Sequence, residues 1–360
     1  MAAYGGTILT STSRILDLIR RFLASQQAGL VLVIFFLGLI LSLFAGTHPD
    51  RATGAPINNF LNSHTLIQTA TDASFFAIMA VGATVVIISG GIDLSVGSIY
   101  ALAGVAMAMS LRGLGAMDSV PTIGLGFLVC LGVGLLCGVL NGVMVVGLGV
   151  HPFIITLGTM WILRGIAFVM SKAESILVPK ALTGLAKASL GLTESLYPVP
   201  MLTMLLVAGA GAVYLTHTVM GRHVFAVGGN AEASRFSGLR LGRIQIGVFV
   251  ISGALAGLAA FLGASFYGSA SCGDATGYEL YVIASAVVGG ASLLGGKGSA
   301  ISAMLGALLI VLIRQSIRTL RFDQNYEWII IGCAIIVAVV LDQGNARLAT
   351  RRLARQAGRG

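Results

Sequence analysis

LIQTATDASFFAIMAVGATVVIISGGIDLSVGS, residues 66–98, is the stretch whose reading decides the fold. Its first 24 residues carry one charge, Asp72, and are long enough to cross the roughly 30 Å hydrocarbon core of a bilayer as a helix, which takes about 20 mostly apolar residues. Gly90-Gly91 then interrupts the run, and Ile92-Asp93-Leu94-Ser95-Val96-Gly97-Ser98 leads into another apolar segment. Paired glycines make an unbroken helix costly. A broken helix at membrane depth persists only where protein or a water-filled cavity surrounds it. The stretch therefore predicts a membrane protein in which helices bury a functional irregularity.

The rest of the chain agrees. Of 360 residues, 56% are hydrophobic and 10% charged, against about a quarter charged in soluble domains, and the mean hydropathy is +0.95. Such a chain lacks the polar exterior that water requires but has the apolar one that lipid accepts. Its 49 glycines suit helices that pack closely in a bilayer. Apolar runs predict ten spans, at 28–46, 66–89, 95–111, 122–147, 152–171, 201–219, 246–267, 279–294, 299–316 and 327–342. The fold class is all-α: a polytopic membrane helical bundle of about ten transmembrane helices with Gly-broken segments, forming a single domain over residues 1–360. No soluble domain and no cleavable leader are expected, since the first apolar run begins near Gly29 and continues for a full span.

Ten spans put both termini on one side. With the termini in the cytoplasm, thirteen of the 22 Lys and Arg lie inside, two (Arg164 and Arg314) lie within spans and seven lie outside. This bias is the positive-inside signature. Arg14, Arg20 and Arg21 precede the first span, Arg222, Arg235, Arg240 and Arg243 share the loop 220–245, and Arg347, Arg351, Arg352, Arg355 and Arg359 make the segment 343–360 a basic tail. The net charge of +9 thus sets topology beside the lipid bilayer, and no nucleic-acid partner is expected because no binding fold is present to use it.

The chain carries no sign of catalysis. Gly295-Gly296-Lys297-Gly298-Ser299 resembles a phosphate loop only in composition, because Gly298 separates Lys297 from Ser299 where a Walker loop needs Lys and the hydroxyl adjacent. The five histidines form no His-Glu-x-x-His pair, and no Gly-x-Ser-x-Gly turn occurs. The four cysteines show no metal or redox spacing. No catalytic residues, metal site or cofactor are expected, and ATP hydrolysis, if used, falls to another subunit.

Two breaks stand out: 89–98, and Gly289-Gly290 followed by Leu293-Leu294-Gly295-Gly296-Lys297-Gly298-Ser299. Both contain a Gly-Gly, a later Leu, a Gly-Ser pair and a small-residue helix, although aligning them needs a two-residue gap. Gly90, Gly91, Asp93 and Ser95 are the translocation or gating candidates. The simplest role for Asp93 is N-cap of the helix that follows, accepting from free amides; the alternative is a charge acting directly in gating or substrate contact. Arg164 either snorkels or pairs within the bundle. Gly134, Gly138 and Gly142 line one helix face, and Gly253 and Gly257 repeat the spacing, predicting close helix crossing within one subunit. Residues 172–200 predict a short amphipathic helix or a docking surface.

Four blocks resemble the permeases of bacterial ABC importers for ribose, xylose, galactose and related sugars. They are Val81-Gly82-Ala83-Thr84 through Ser98; His151-Pro152-Phe153-Ile154-Ile155-Thr156-Leu157-Gly158-Thr159-Met160 with Arg164-Gly165; Gly221-Arg222-His223-Val224-Phe225-Ala226-Val227-Gly228-Gly229-Asn230 continuing to Arg235-Phe236-Ser237-Gly238; and Gly277-Tyr278-Glu279-Leu280 with Val288-Gly289-Gly290-Ala291-Ser292-Leu293. The resemblance implies a permease dimer, of one chain or of two paralogues, in a bacterial inner membrane. It also implies two cytoplasmic ABC ATPase subunits and a periplasmic sugar-binding protein as partners. It makes Gly228, Gly229, Asn230, Ala231, Glu232, Ala233, Ser234 and Arg235 the ATPase-coupling element, in which Gly228-Gly229-Asn230 turns the chain before a short helix. Gly229 is expected in that turn, with a positive φ. Two departures from the family pattern bear on the sugar: Tyr281 follows Glu279-Leu280 where an acidic residue is usual, and Arg314 through Arg321 replaces an expected Asn-Gly-Leu region. The alternative reading is an ion-coupled secondary transporter, for which Asp72 and Asp93 are the plausible carboxylates.

Overall fold

The computed structural model describes residues 26–49, 54–115, 118–191, 196–333, 336, 337 and 340. The basic tail 343–360 and the arginines before the first span lie outside these residues. Among the described residues, eight helices are long and apolar enough to cross a membrane: α1 (Gln26–Phe44), α2 (Ser63–Ile88), α3 (Val96–Gly113), α4 (Val120–Leu148), α5 (Pro152–Ser171), α7 (Val199–His217), α10 (Leu241–Tyr267) and α12 (Ala300–Thr319). Between them lie α6 (Lys180–Ala186), α8 (Val219–Gly229), α9 (Ala231–Phe236) and α11 (Tyr278–Val288). Two short antiparallel strand pairs are also present: β1 (Thr47–Pro49) with β2 (Pro56–Asn58), and the sequence-distant β3 (Ile176–Leu177) with β4 (Ser269–Ala270).

Helix α2 is the central post, enclosed along nearly all of its length, whereas α1, α4, α5 and α7 each turn a broad apolar face outwards. That inversion is what a bundle in lipid requires: the exposed Phe35, Leu43, Leu128, Ile162 and Leu206 have nothing to fear from a hydrocarbon solvent. Helices α4 and α10 cross backbone to backbone. A side chain at Gly134 would strike the Gly253 carbonyl, and one at Gly138 that of Phe249. The small-residue stripes therefore serve packing within one subunit, as expected.

Two helices begin deep within the bundle. The segment expected to span at 279–294 is instead α11, an 11-residue helix about 16 Å long at 1.5 Å per residue, too short to cross. After β4 the chain returns into the bundle as the irregular loop 271–277, and α11 completes the traverse. Arg164 supports that loop: its Nη1 donates to the carbonyls of Cys272 (2.8 Å) and Asp274 (2.6 Å), and its Nη2 to that of Ala275 (3.3 Å). Arg164 therefore pairs within the bundle rather than snorkelling. The last expected span, 327–342, is helical at 326–333, and much of the remainder lies outside the described residues.

The two breaks have one geometry. At the first, Gly90 has φ +87°, its amide donates to Ile87, and the Gly91 amide donates to Val86. At the second, Gly290 has φ +91°, its amide donates to Val287, and that of Ala291 to Ala286. Each is a Schellman-type helix stop, which needs a left-handed residue and so favours glycine. In 172–200, α6 buries Leu182 and Ala186, while β3 ties the segment to β4.

Candidate functional site

The segment 220–245 is helical rather than a loop. Thr218 caps α8 by accepting from the Gly221 amide (3.0 Å). α8 turns Gly221, Val224 and Val227 into the bundle at helical spacing and leaves Arg222 exposed. The turn expected at Gly228-Gly229-Asn230 is narrower than the sequence reading: both glycines belong to α8, and Asn230 alone, with φ −159° and ψ 100°, makes the corner. Its side chain accepts from the Ala233 amide (2.9 Å) and so starts α9. Glu232 lies in the first turn of α9 and Arg235 in the last, each opposite in sign to the helix-end charge it faces. Ala231, Glu232, Ala233 and Arg235 are exposed, Ser234 is buried, and Phe236 at the tip is 84% exposed.

The two glycines differ sharply. Gly229 has no positive φ, and a Cβ there would meet nothing within 4 Å, so the turn strain expected at this position is absent. Gly228 is wedged instead: a Cβ would overlap the Ile88 carbonyl and lie 2.7 Å from the Gly296 amide. Those two groups are themselves bonded, with the Gly296 amide donating to the Ile88 carbonyl at 2.8 Å. One point thus joins the end of α8, the end of α2 at the first break, and the loop of the second.

From Ile88 the chain runs through Gly90 and Gly91 to Asp93. Gly91 is buried against Val86 and Pro152. Asp93 is 2% exposed. Its Oδ1 accepts from the amide (2.9 Å) and hydroxyl (2.6 Å) of Ser95, and its Oδ2 accepts from the Ser252 hydroxyl of α10 (2.8 Å). The Ser95 hydroxyl in turn accepts from Asn141 Nδ2 of α4 (2.8 Å). Thr156 of α5 brackets the same segment, donating to the Ile92 carbonyl and accepting from the Leu94 amide, both at 3.1 Å. The cap expected at Asp93 is displaced by two residues, since Ser95 holds the N-cap position and Asp93 supports it from below. Three helices, α4, α5 and α10, are fastened to residues 92–95 through side-chain hydrogen bonds, and no Lys, Arg or His pairs with Asp93 among the described ion pairs. The sequence reading missed Asn141, Ser252 and Thr156. Their signal was available for Asn141, a polar side chain in the middle of an apolar span, and was too common to notice for Ser252 and Thr156.

Comparison with known proteins identifies the setting of this arrangement. Residues 65–339 match the family model described as branched-chain amino acid transport system / permease component. The chain belongs to this permease family. The D-allose transport system permease protein of Escherichia coli K12 is 34% identical over 311 residues, covering 86% of this chain and 90% of its own length. The ribose import permease protein of Haemophilus influenzae is 36% identical over 326 residues (90% and 94%). The autoinducer 2 import system permease protein of Yersinia pseudotuberculosis is 33% identical over 338 residues (93% and 90%).

In this permease the two stretches that the sequence reading set apart from the sugar-permease pattern meet. Tyr281 donates its hydroxyl to Glu327 Oε1 (2.7 Å), and Arg314 Nε forms an ion pair with the same oxygen at 2.7 Å. The Arg314 guanidinium also lies over the rings of Phe76 and Tyr281, 5.5 and 5.2 Å from their centroids. Arg318 pairs with Asp72 at 3.6 Å, and Gln68 donates to Asp72 at 2.9 Å. Residues separated by more than thirty positions thus form one ion-aromatic cluster that ties α2, α11 and α12 to the helical residues 326–333.

Proposed function

We propose that this permease is the membrane subunit of an ATP-driven, binding-protein-dependent monosaccharide importer of the bacterial inner membrane. In this reading it works as one of a pair, with both termini in the cytoplasm. A periplasmic sugar-binding protein delivers the sugar to the β3–β4 end, and cytoplasmic ABC ATPase subunits dock on the segment 220–245. The observation that carries the reading is the α8–α9 elbow. Its outer side offers an exposed capped helix with Phe236 at the tip, and its inner side is wedged through Gly228 against both helix breaks. A push on α9 is therefore transmitted to Ile88 and Gly296 by rigid backbone contact. From Ile88 it reaches the Asp93 segment and the helices bonded to it, so alternating access has a mechanical route that runs through Gly90, Gly91, Asp93 and Ser95.

The sugar class is supported by the ribose and allose permeases, to which most of this chain aligns. An ion-coupled transporter would need a carboxylate free to take the ion. Asp72 is already engaged by Arg318 and Gln68, and Asp93 by two serines. The test is uptake of radiolabelled D-ribose and D-allose by cells expressing the permease with its ATPase and binding protein. Substituting the Walker lysine of the ATPase is expected to abolish uptake. Undiminished uptake in that variant would refute the ATP-driven reading.

A further inference from the structure

A second polar feature lies away from the Asp93 segment and is not explained by coupling. Helix α5 runs from Pro152 to Ser171, so Trp161 stands at its midpoint. Beside it opens a cleft of about 250 Å³ lined by Ser98, Trp161, Arg164, Phe168, Thr276 and Glu279 among others. Drug-sized ligand pockets run from about 300 to 1,000 Å³, so this space suits something smaller. Two helices begin at its wall. Ser98 is the third residue of α3, and Glu279 the second of α11, whose N-cap is Gly277. Helices that start at mid-depth present unpaired amide groups to a cavity, the arrangement by which transporters place substrate sites near the bilayer midplane.

The chemistry of the wall is mixed in a particular way. Arg164 and Glu279 are 9% and 7% exposed and approach each other to 3.5 Å. The Ser98 hydroxyl is fully buried yet has no hydrogen-bond partner. A buried hydroxyl without a partner is destabilising, so its place on a cleft wall calls for a ligand group to satisfy it. The same cleft is lined by Trp161 and Phe168, 69% and 44% exposed. A ring-form sugar has the matching faces: axial C–H groups that stack on an aromatic ring, and a rim of hydroxyls that both donate and accept. We infer that this cleft is a transient binding site for one monosaccharide during translocation, with Trp161 stacking on the sugar face and Ser98 and the Arg164–Glu279 pair meeting its hydroxyls. Glu279 fits there because residue 97 is glycine; a Cβ at that position would lie 2.6 Å from Glu279 Oε1. The assignment rests on the importer reading and deepens it.

The test uses the complete transporter, permease with ATPase and binding protein, in proteoliposomes, with radiolabelled D-ribose and D-allose as probes. Trp161→Ala removes only an exposed ring, and Ser98→Ala breaks no hydrogen bond, so both variants are expected to fold like the parent. Each is expected to lower the maximal uptake rate at least fivefold while ATP hydrolysis stimulated by the loaded binding protein persists, because the sugar loses its resting place but the coupling elbow is intact. Trp161→Phe, which keeps a ring, is expected to retain at least half of the uptake, and Trp161→Leu, which keeps only apolar bulk, is expected to lose it. Parental uptake in Trp161→Leu would mean that the groove merely contacts lipid and would overturn the assignment. Uptake and hydrolysis falling together would overturn it too, since a coupling defect is then sufficient. If the parent complex takes up neither sugar, the importer reading fails first, and this inference falls with it.

Discussion

Gly228→Ala tests the mechanical linkage at its narrowest point. The added methyl overlaps the Ile88 carbonyl and lies 2.7 Å from the Gly296 amide, both backbone atoms that cannot rotate away. Overpacking of this kind costs about 1–3 kcal/mol. Parting Gly296 from Ile88, whose bond is 2.8 Å long, leaves buried groups unpaired at about 1–3 kcal/mol more. Replacing a helical glycine by alanine returns up to about 1 kcal/mol. The net loss at the junction is therefore about 1–6 kcal/mol. The control is the next residue: at Gly229 a Cβ meets nothing within 4 Å, so Gly229→Ala is expected to be neutral or slightly stabilising, and Gly229→Val close to neutral. Each variant is to be compared for thermal stability in detergent, copurification of the ATPase, and sugar uptake at matched membrane abundance. Gly228→Ala is expected to lose uptake with a lowered melting temperature, while Gly229→Ala keeps both. If the two behave alike, the wedge is not the linkage and the route from α9 to the breaks is wrong.

Three further outcomes follow from the same geometry. Asp93→Asn is expected to keep most uptake, because the amide oxygen still accepts from Ser95 and the Ser252 hydroxyl can reverse to accept from the new NH₂; Asp93→Ala, which strands the Ser95 amide at about 1–3 kcal/mol, is expected to lose it, and uptake at matched abundance distinguishes the two. Arg164→Gln removes the bonds that hold three carbonyls of the loop 271–277 and leaves Glu279 buried without its cation, a change of about 3–5 kcal/mol that should appear as a clear fall in thermal stability. Phe236→Ala should leave stability within about 0.5 kcal/mol of the parent, because the ring is exposed, yet weaken ATPase copurification by the tenfold or more expected of an aromatic anchor.

What was legible in the sequence follows from what lipid demands. Apolar runs of about 20 residues located every long helix to within a few positions, because length and polarity are local properties. The glycine pairs marked both breaks, because a Schellman-type stop needs a left-handed residue. Residues 279–294 read as a full span because the same composition serves a half-length helix preceded by a buried loop; the difference lies in Arg164, more than a hundred positions away in sequence, which supports that loop. The sequence reading put the weight on Gly229, as a turn residue of positive φ, and gave Gly228 no separate role. Only the approach of α2 and the second break, both distant in sequence, makes one of them indispensable. Asp93 was read as the N-cap of α3, but Ser95 holds that position and Asp93 accepts from the Ser95 amide and hydroxyl instead. Its partners Ser252 and Asn141 come from other helices and carry no sequence mark that pairs them with it. In the same way nothing in the sequence shows that Tyr281 and Arg314 meet on one glutamate, Glu327.

The central claim, that this permease imports sugar only when driven through its elbow by a partner ATPase, is tested most directly by transport in proteoliposomes under defined conditions. Purified permease is reconstituted with and without its ATPase, with ATP on the elbow side and binding protein loaded with radiolabelled D-ribose or D-allose on the other. The account predicts sugar accumulation only when ATPase, ATP and binding protein are all present, and none when the permease alone is given a sodium or proton gradient. Accumulation by the permease alone on such a gradient would contradict it and establish a secondary transporter instead.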